Sequence, residues 1–428
     1  MADKIFKDIV KRFGFDEIDI DSWVFKCYSR VTAGLFFLAG AFSVASEYTG
    51  KDAIQCKGGD SYDSNYCWLH GTGHLKPDQI SKEIQNGHDC VATDSIGTNG
   101  EPGEDKLVNY YIWVSLVLFL CAGVFLVPNE IWKHFEGGML KQFKSLYTDG
   151  NQYMEIPEEN RKGSAEQFRK LSKSATRRYF FTFLLFEFVY FILGIVVFQL
   201  LDTFLDGKFV SYGSDTLEYL RGEAKPVEIT TNDGTYSGAI NPMCNAFPTI
   251  VSCAVTTYGV NGEADTKSHI CLLGQNIMNQ KIFLVLWLWF VVLFSVSACH
   301  IIYRLTTFLV PDFQARAIKG HMRTKDDAAV KKLQFGFDHI GNWFLLTQIG
   351  SNSNPYAFRI FMEDLTGVRI TRGPEKENQK RQKLKHTNKN KTDEQQRIEN
   401  EGDKVKKGGN TGESIELGDV AKEGKSPV

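Results

Sequence analysis

The chain has 428 residues and a formal net charge of −2, a balance that suggests neither a nucleic-acid binder nor a strongly acidic buffer. Its mean hydropathy of −0.23 has the value of a soluble protein, but that average hides segregation into very apolar and very polar blocks. Four of the apolar blocks are long enough to cross a bilayer, whose hydrocarbon core takes roughly 20 apolar residues in a helix.

Residues 1–28 form the first element. Ile5, Phe6, Ile9, Val10 and Phe13 share one helical face, and Asp3, Lys4, Lys7, Asp8, Lys11 and Arg12 occupy the other. The opening MADKIFKDIVKRFGF has no apolar run followed by a small-residue cleavage site, so the mature chain is expected to keep it. The first span, 29–48, carries Ala33, Gly34, Ala39, Gly40, Ala41 and Ser43. Small residues let membrane helices approach closely, which predicts a helix inside a bundle or along a pore, with Gly34 and Gly40 as pore-lining candidates. Taken alone this block also fits a buried helix of a soluble domain; the three stronger blocks after it argue against that.

Loop 49–109 leads to the second span, 110–128, and a basic segment, 129–178, leads to the third, 179–201. Loop 202–281 precedes the fourth span, 282–303. Between 304 and 367, periodic apolar positions such as Leu345, Leu346, Ile349, Phe358, Ile360 and Phe361 predict helices, which with 129–178 make a cytoplasmic dome. In 368–428 the composition turns to Lys, Glu, Asn, Gln and Gly, so the tail is expected to be disordered. Its terminal Ser426-Pro427-Val428 fits a loose PDZ-ligand pattern, a short match that arises often by chance.

Charge sets the orientation. Lys4, Lys7, Lys11, Arg12 and Lys26 precede the first span and Arg30 lies in its first turn, and ten Lys and Arg residues from Lys133 to Arg178 lie between the second and third. Basic residues stay on the cytoplasmic side, so both termini are expected in the cytosol and the loops 49–109 and 202–281 outside. Cysteine placement agrees, because disulfides persist in oxidising compartments. Cys56, Cys67 and Cys90 fall in the first outer loop and Cys244, Cys253 and Cys271 in the second, while the long cytoplasmic loop and the tail have none. Six cysteines allow 15 connectivities, which residue order alone does not resolve. Each loop is too polar and short for a generous core, so disulfides are expected to hold both in shape. A metal site at Cys67, His70 and His74 is set aside, since no second thiol pair has zinc-ligand spacing.

Polar groups in or near the spans have competing readings. Glu47, at the outer end of the first span, can form an acidic ring in a pore or reach into interfacial water. Glu187 lies deeper and is expected to hydrogen-bond a neighbouring helix. Pro128 removes a backbone donor and predicts a bend. His300 reads as a packing residue before a pH sensor.

Tyr110-Tyr111-Ile112-Trp113-Val114 resembles the YYQWV signature of innexins, the invertebrate gap-junction proteins, with Ile112 in place of the usual glutamine. Over residues 1 to 367 other stretches are similar in the same order: AIQC at Cys56, NYCW at Cys67, NEIWKHFEGG from Asn129 to Gly138, directly after Pro128, FPTIVSC at Cys253, ICLL at Cys271, NQKIFLVLWLWF, and HIGNWFLLTQIGSNSNP from His339. The resemblance implies an all-α integral membrane fold: a four-transmembrane-helix subunit with disulfide-stapled extracellular loops and a mainly helical cytoplasmic dome. It implies the pairs Cys56 with Cys271 and Cys67 with Cys253. Because these nest in antiparallel order, Cys90 and Cys244 are expected to make a third bridge. It also implies that the amino-terminal segment enters the cytoplasmic pore mouth; by its amphipathicity alone the segment also fits the inner leaflet.

The function implied is a large-pore gap-junction channel in the plasma membrane. Copies would self-assemble in a ring, an octamer by the family pattern, and dock through the outer loops to a hemichannel of the adjacent cell, with membrane lipid around them. No N-x-S/T sequon occurs in either outer loop; Asn390-Lys391-Thr392 lies in the tail. An undocked hemichannel releasing small molecules and a non-conducting tetraspan adhesion protein are the alternatives. Enzyme chemistry and cofactors are not expected: there is no G-x-S-x-G, no Rossmann fingerprint and no paired metal-spaced histidines in a span. Gly424-Lys425-Ser426 mimics the end of a P-loop, but Gly418 is one residue too far away.

Overall fold

The structure is a computed structural model. It describes residues 18–49, 53–73, 75, 80, 82–83, 90, 109–146, 158–171, 173–224, 226–231, 234–238, 241–258, 260–323 and 340–368. The pore-mouth candidates Asp3, Lys4, Lys7 and Asp8, His74, the tail and its Ser426-Pro427-Val428 lie outside the described residues.

Four helices are long and apolar enough to cross a membrane. The first, α1, opens at Trp23–Lys26, passes through a π-helical turn at Cys27–Thr32 and continues as Ala33–Thr49. It begins before 29 because Ser22 caps it, its hydroxyl accepting from the Phe25 amide at 3.3 Å. After a short helix α2 (Ser61–His70), a 3-10 turn (Tyr110–Trp113) enters α3 (Val114–Glu136). This span continues eight residues beyond Pro128, and Gly137 ends it in the left-handed conformation at φ 60°. Helix α4 (Glu158–Lys170) leads to the third span, α5 (Lys173–Phe204), followed by α6 (Phe209–Leu220) and α7 (Pro242–Ala246). The fourth span is α8 (Gly274–Leu309), and α9 (Pro311–Met322), α10 (Ile340–Asn352) and α11 (Pro355–Thr366) complete the α-helices among the described residues.

The spans pack in the cyclic order α1, α3, α5, α8, and the opening turns of α1 also reach across to α5. The 36 residues of α8 make a rod about 54 Å long, well beyond a hydrocarbon core of about 30 Å. It is therefore long enough to extend past such a core. Aromatic rings fill the bundle: Tyr28 stacks on Tyr190 at 5.4 Å, and Phe25 meets Phe183 edge-on at 4.9 Å. In lipid such packing supplies the association that hydrophobicity supplies in water.

The mostly helical architecture carries strands at one end. β1 (Gln55–Cys56), β4 (Ile250–Tyr258) and β5 (Ala264–Leu272) form an antiparallel sheet in the order β1-β5-β4, and β2 (Val227–Thr231) pairs with β3 (Gly234–Gly238). Neither loop builds a core alone, but together they enclose a small one of Ile54, Tyr111, Val251, Val255, Leu273 and the buried half-cystines. At the other end α9, α10 and α11 pack together, with α10 seated on α5 and α11 on α4. Gly341 makes the seat: a Cβ there would lie 2.5 Å from the Thr176 main chain.

Candidate functional site

Three disulfides bind the two loops into one cap: Cys56–Cys271, Cys67–Cys253 and Cys90–Cys244. Cys56 and Cys271 are direct register partners across β1 and β5, with Cα atoms 4.0 Å apart. Cys67 projects from α2 onto β4, so the cross-link ties a helix of one loop to the sheet of the other. Its sulfur is thus taken by Cys253, and His70 stacks on Tyr66 at 4.3 Å. Cys27, Cys121 and Cys299 remain thiols.

The cap is joined to the spans by polar side chains at their ends. The Tyr110 hydroxyl donates to the Ala246 carbonyl at 2.9 Å and accepts from Asn276 Nδ2 at 3.1 Å. Tyr111 is buried, with its ring 4.7 Å from Trp68 and its hydroxyl donating to the Cys67 carbonyl at 3.3 Å. Val114 is buried and Trp113 exposed, so the signature residues divide between anchoring and an outward face. Opposite them, the first turns of α8 bury four amides, Gln275, Asn276, Asn279 and Gln280. Gln275 reaches Ser43 of α1, Asn276 the Pro248 carbonyl, and Gln280 the Phe247 carbonyl and Cys90 sulfur. The Tyr212 hydroxyl of α6 donates to the Gln280 carbonyl at 3.0 Å, and burial pushes that phenol well above its ordinary range, keeping it a neutral donor. This row of amides was missed by composition. Its signal is an unusually polar NQ pair at the mouth of an apolar run.

Of the pore-lining candidates on α1, Gly34 and Glu47 are half-buried within the subunit. Gly40 is not available to a pore. It is buried against α3, where a Cβ would stand 3.1 Å from the Phe119 ring. Smallness there serves close helix approach, which the same residue type signals equally well. Outward on α1 stand Val31, Leu38 and Phe42.

Where α5 and α8 run side by side, Glu187 is bracketed by His300 Nε2 at 2.9 Å and by Arg304, whose Nε and Nη2 nitrogens donate to its two oxygens at 3.1 and 2.9 Å. The fork-to-carboxylate geometry fixes orientation as well as charge balance. The Arg304 guanidinium also lies over the rings of Phe183 at 5.4 Å and Phe344 of α10 at 5.3 Å. Glu187 does bond a neighbouring helix, and His300 is buried with Trp23 edge-on at 5.7 Å. Arg304 lies one residue past the predicted span and was not singled out. Its position four residues after His300, on the same helical face, is the signal that finds it.

The family model for innexins matches residues 21–368. The chain belongs to the innexin family. Among its relatives, Innexin inx2 of Drosophila melanogaster is 30% identical over 369 residues, covering 85% of this chain and 95% of that protein. Innexin inx2 of Schistocerca americana is 27% identical (84% of this chain, 96% of that one), and Innexin inx4 of Drosophila melanogaster is 29% identical (84% and 94%). As an innexin with four apolar spans, the chain is a membrane protein of the gap-junction channel class, whose subunits assemble as oligomers.

Proposed function

We propose that copies of this innexin form a ring, eight by the family pattern, that docks cap-to-cap with a ring on an adjacent cell and passes ions and small molecules. The cap faces outside and both termini the cytosol. One observation carries this reading: three cross-links, each joining the two loops, gather at one end of four apolar helices. Disulfides of that density persist in an oxidising space, and a cap stapled across both loops keeps one shape for a partner to meet. Gly34 and Glu47, with the amino-terminal Asp3, Lys4, Lys7 and Asp8, line the path. Four helices of one subunit cannot enclose a wide channel, so the ring is required.

Expression in paired cells tests it. Junctional current, together with transfer of a small dye, is the expected result; current across single-cell membranes without transfer gives the undocked hemichannel, and adhesion without conductance gives the scaffold protein. A cysteine-accessibility scan adds a sharper arm. Gly34→Cys is expected to react with a permeant thiol reagent from the pore, whereas Gly40→Cys is expected to stay protected by Phe119.

A further inference from the structure

Residues 18–22 enter α1 without helix or strand pairing of their own, so their main-chain groups must find partners elsewhere. Much of that partnership is supplied by side chains. The Asp19 amide donates to Asn352 Oδ1 at 2.6 Å, and Asn352 Nδ2 donates back to the Asp19 carbonyl at 2.8 Å. One side-chain amide thus pairs with both polar groups of one residue, as a rung of an antiparallel ladder would. Trp132 Nε1 of α3 donates to the Ile20 carbonyl at 3.4 Å. The Asp19 carboxylate pairs with Lys26 and the Asp21 carboxylate with Arg30 at 3.7 Å, both on α1. Ile18 is buried in the main core.

Asn352 differs from the other contacts in its origin. It is the last residue of α10, in the inner helical layer, and its Nδ2 also holds the Gln348 carbonyl of that helix at 2.9 Å. The contact spans 333 residues of sequence. A few residues further along α1, the π-helical turn at Cys27–Thr32 replaces regular hydrogen bonding, a kind of irregularity that helices carry where they change shape. We infer that Asn352 is a positioning residue: through the Asp19 main chain it lets the inner helical layer set the position of the start of α1, and so the open-to-closed balance of the channel. This rests on the channel reading above. The chemistry needs an amide, with one acceptor and one donor on the same planar group. An aspartate keeps the acceptor, loses the donor, and sets an oxygen against the Asp19 carbonyl.

The experiment uses full-length rings. Asn352→Ala and Asn352→Asp are expected to keep ring mass and surface delivery but to change the resting open-to-closed ratio by roughly fivefold or more, the scale of a modest coupling between sites. Hydrogen exchange of the peptide covering 18–22 should quicken in both. Ser351→Ala, which loses a bond to Gln348 within its own helix, leaves both readouts unchanged. Unchanged gating in Asn352→Ala overturns the inference, as does an equal shift in Ser351→Ala, which would mark a general loosening of the layer. Should the wild type carry no current at all, the channel reading fails instead, and unchanged exchange at 18–22 would then dismiss the clasp separately.

Discussion

At the cap, segments 154 to 215 residues apart in sequence are joined by covalent bonds around a small core. Away from the cap, long-range contacts are non-covalent: Arg304 on Glu187 across 117 residues, Asn352 on Asp19 across 333, and the rings of α5 against Phe344 of α10. The first end is locked in one arrangement once oxidised. Hydrogen bonds and ion pairs at the second can exchange partners without chemistry. The proposed docking calls for a fixed face at the first end, and the proposed positioning by Asn352 calls for an adjustable joint at the second.

Removing one covalent staple tests the locked end hardest. Cys67→Ser with Cys253→Ser frees a 186-residue loop closure worth about 5 kcal/mol in the chain-entropy account. The expected outcome is loss of junctional current and a lowered unfolding temperature in purified rings, with the inner helices still protected from protease. Equal loss of protection at both ends would break the contrast. At the exchangeable end, Glu187→Ala leaves the half-buried Arg304 charge without its carboxylate and is expected to cost about 3 kcal/mol by thermal unfolding. Glu187→Leu with Arg304→Leu should recover most of that loss. Recovery would show that charge burial rather than the ion pair itself sets the penalty.

Next in size, Gly341→Ala puts a methyl group 2.5 Å from the Thr176 main chain, which cannot turn aside as a flexible side chain can. A cost of about 1–3 kcal/mol is expected, read as faster exchange in α9–α11 while the cap is unaffected. The smallest effect comes from His321 of α9. Burial beside the Phe358 ring holds its pKa below the ordinary 6.5. The unfolded chain therefore takes up the proton first as pH falls, so the stability of the inner layer declines from the ordinary histidine range down to the depressed value and then levels. Thermal unfolding of wild type against His321→Phe checks this: the variant is expected to lose that acid-side slope.

The spans were legible because an uninterrupted apolar run has few other places to go. Their ends were less so. Hydropathy places the start of the first span near 29, but the Ser22 cap begins the helix at Trp23, and α3 runs through Pro128 because a buried setting tolerates the missing donor. The strands of the cap were not anticipated, although IVSCAVTTY alternates in burial and is rich in β-branched residues. Loop length and polarity pointed to disulfides, and the sheet supplies the register in which Cys56 meets Cys271.

By itself the order of residues determined how many times the chain crosses the membrane and which cysteines share a loop, because both follow from local composition. It also carried enough paired motifs to point to the family. Tertiary structure alone decided that Gly40 faces Phe119, that the helical face shared by His300 and Arg304 meets Glu187, and that Asn352 holds Asp19. In each case the partner is distant in sequence, and a small, charged or amide side chain carries no mark of what will lie against it once the helices pack.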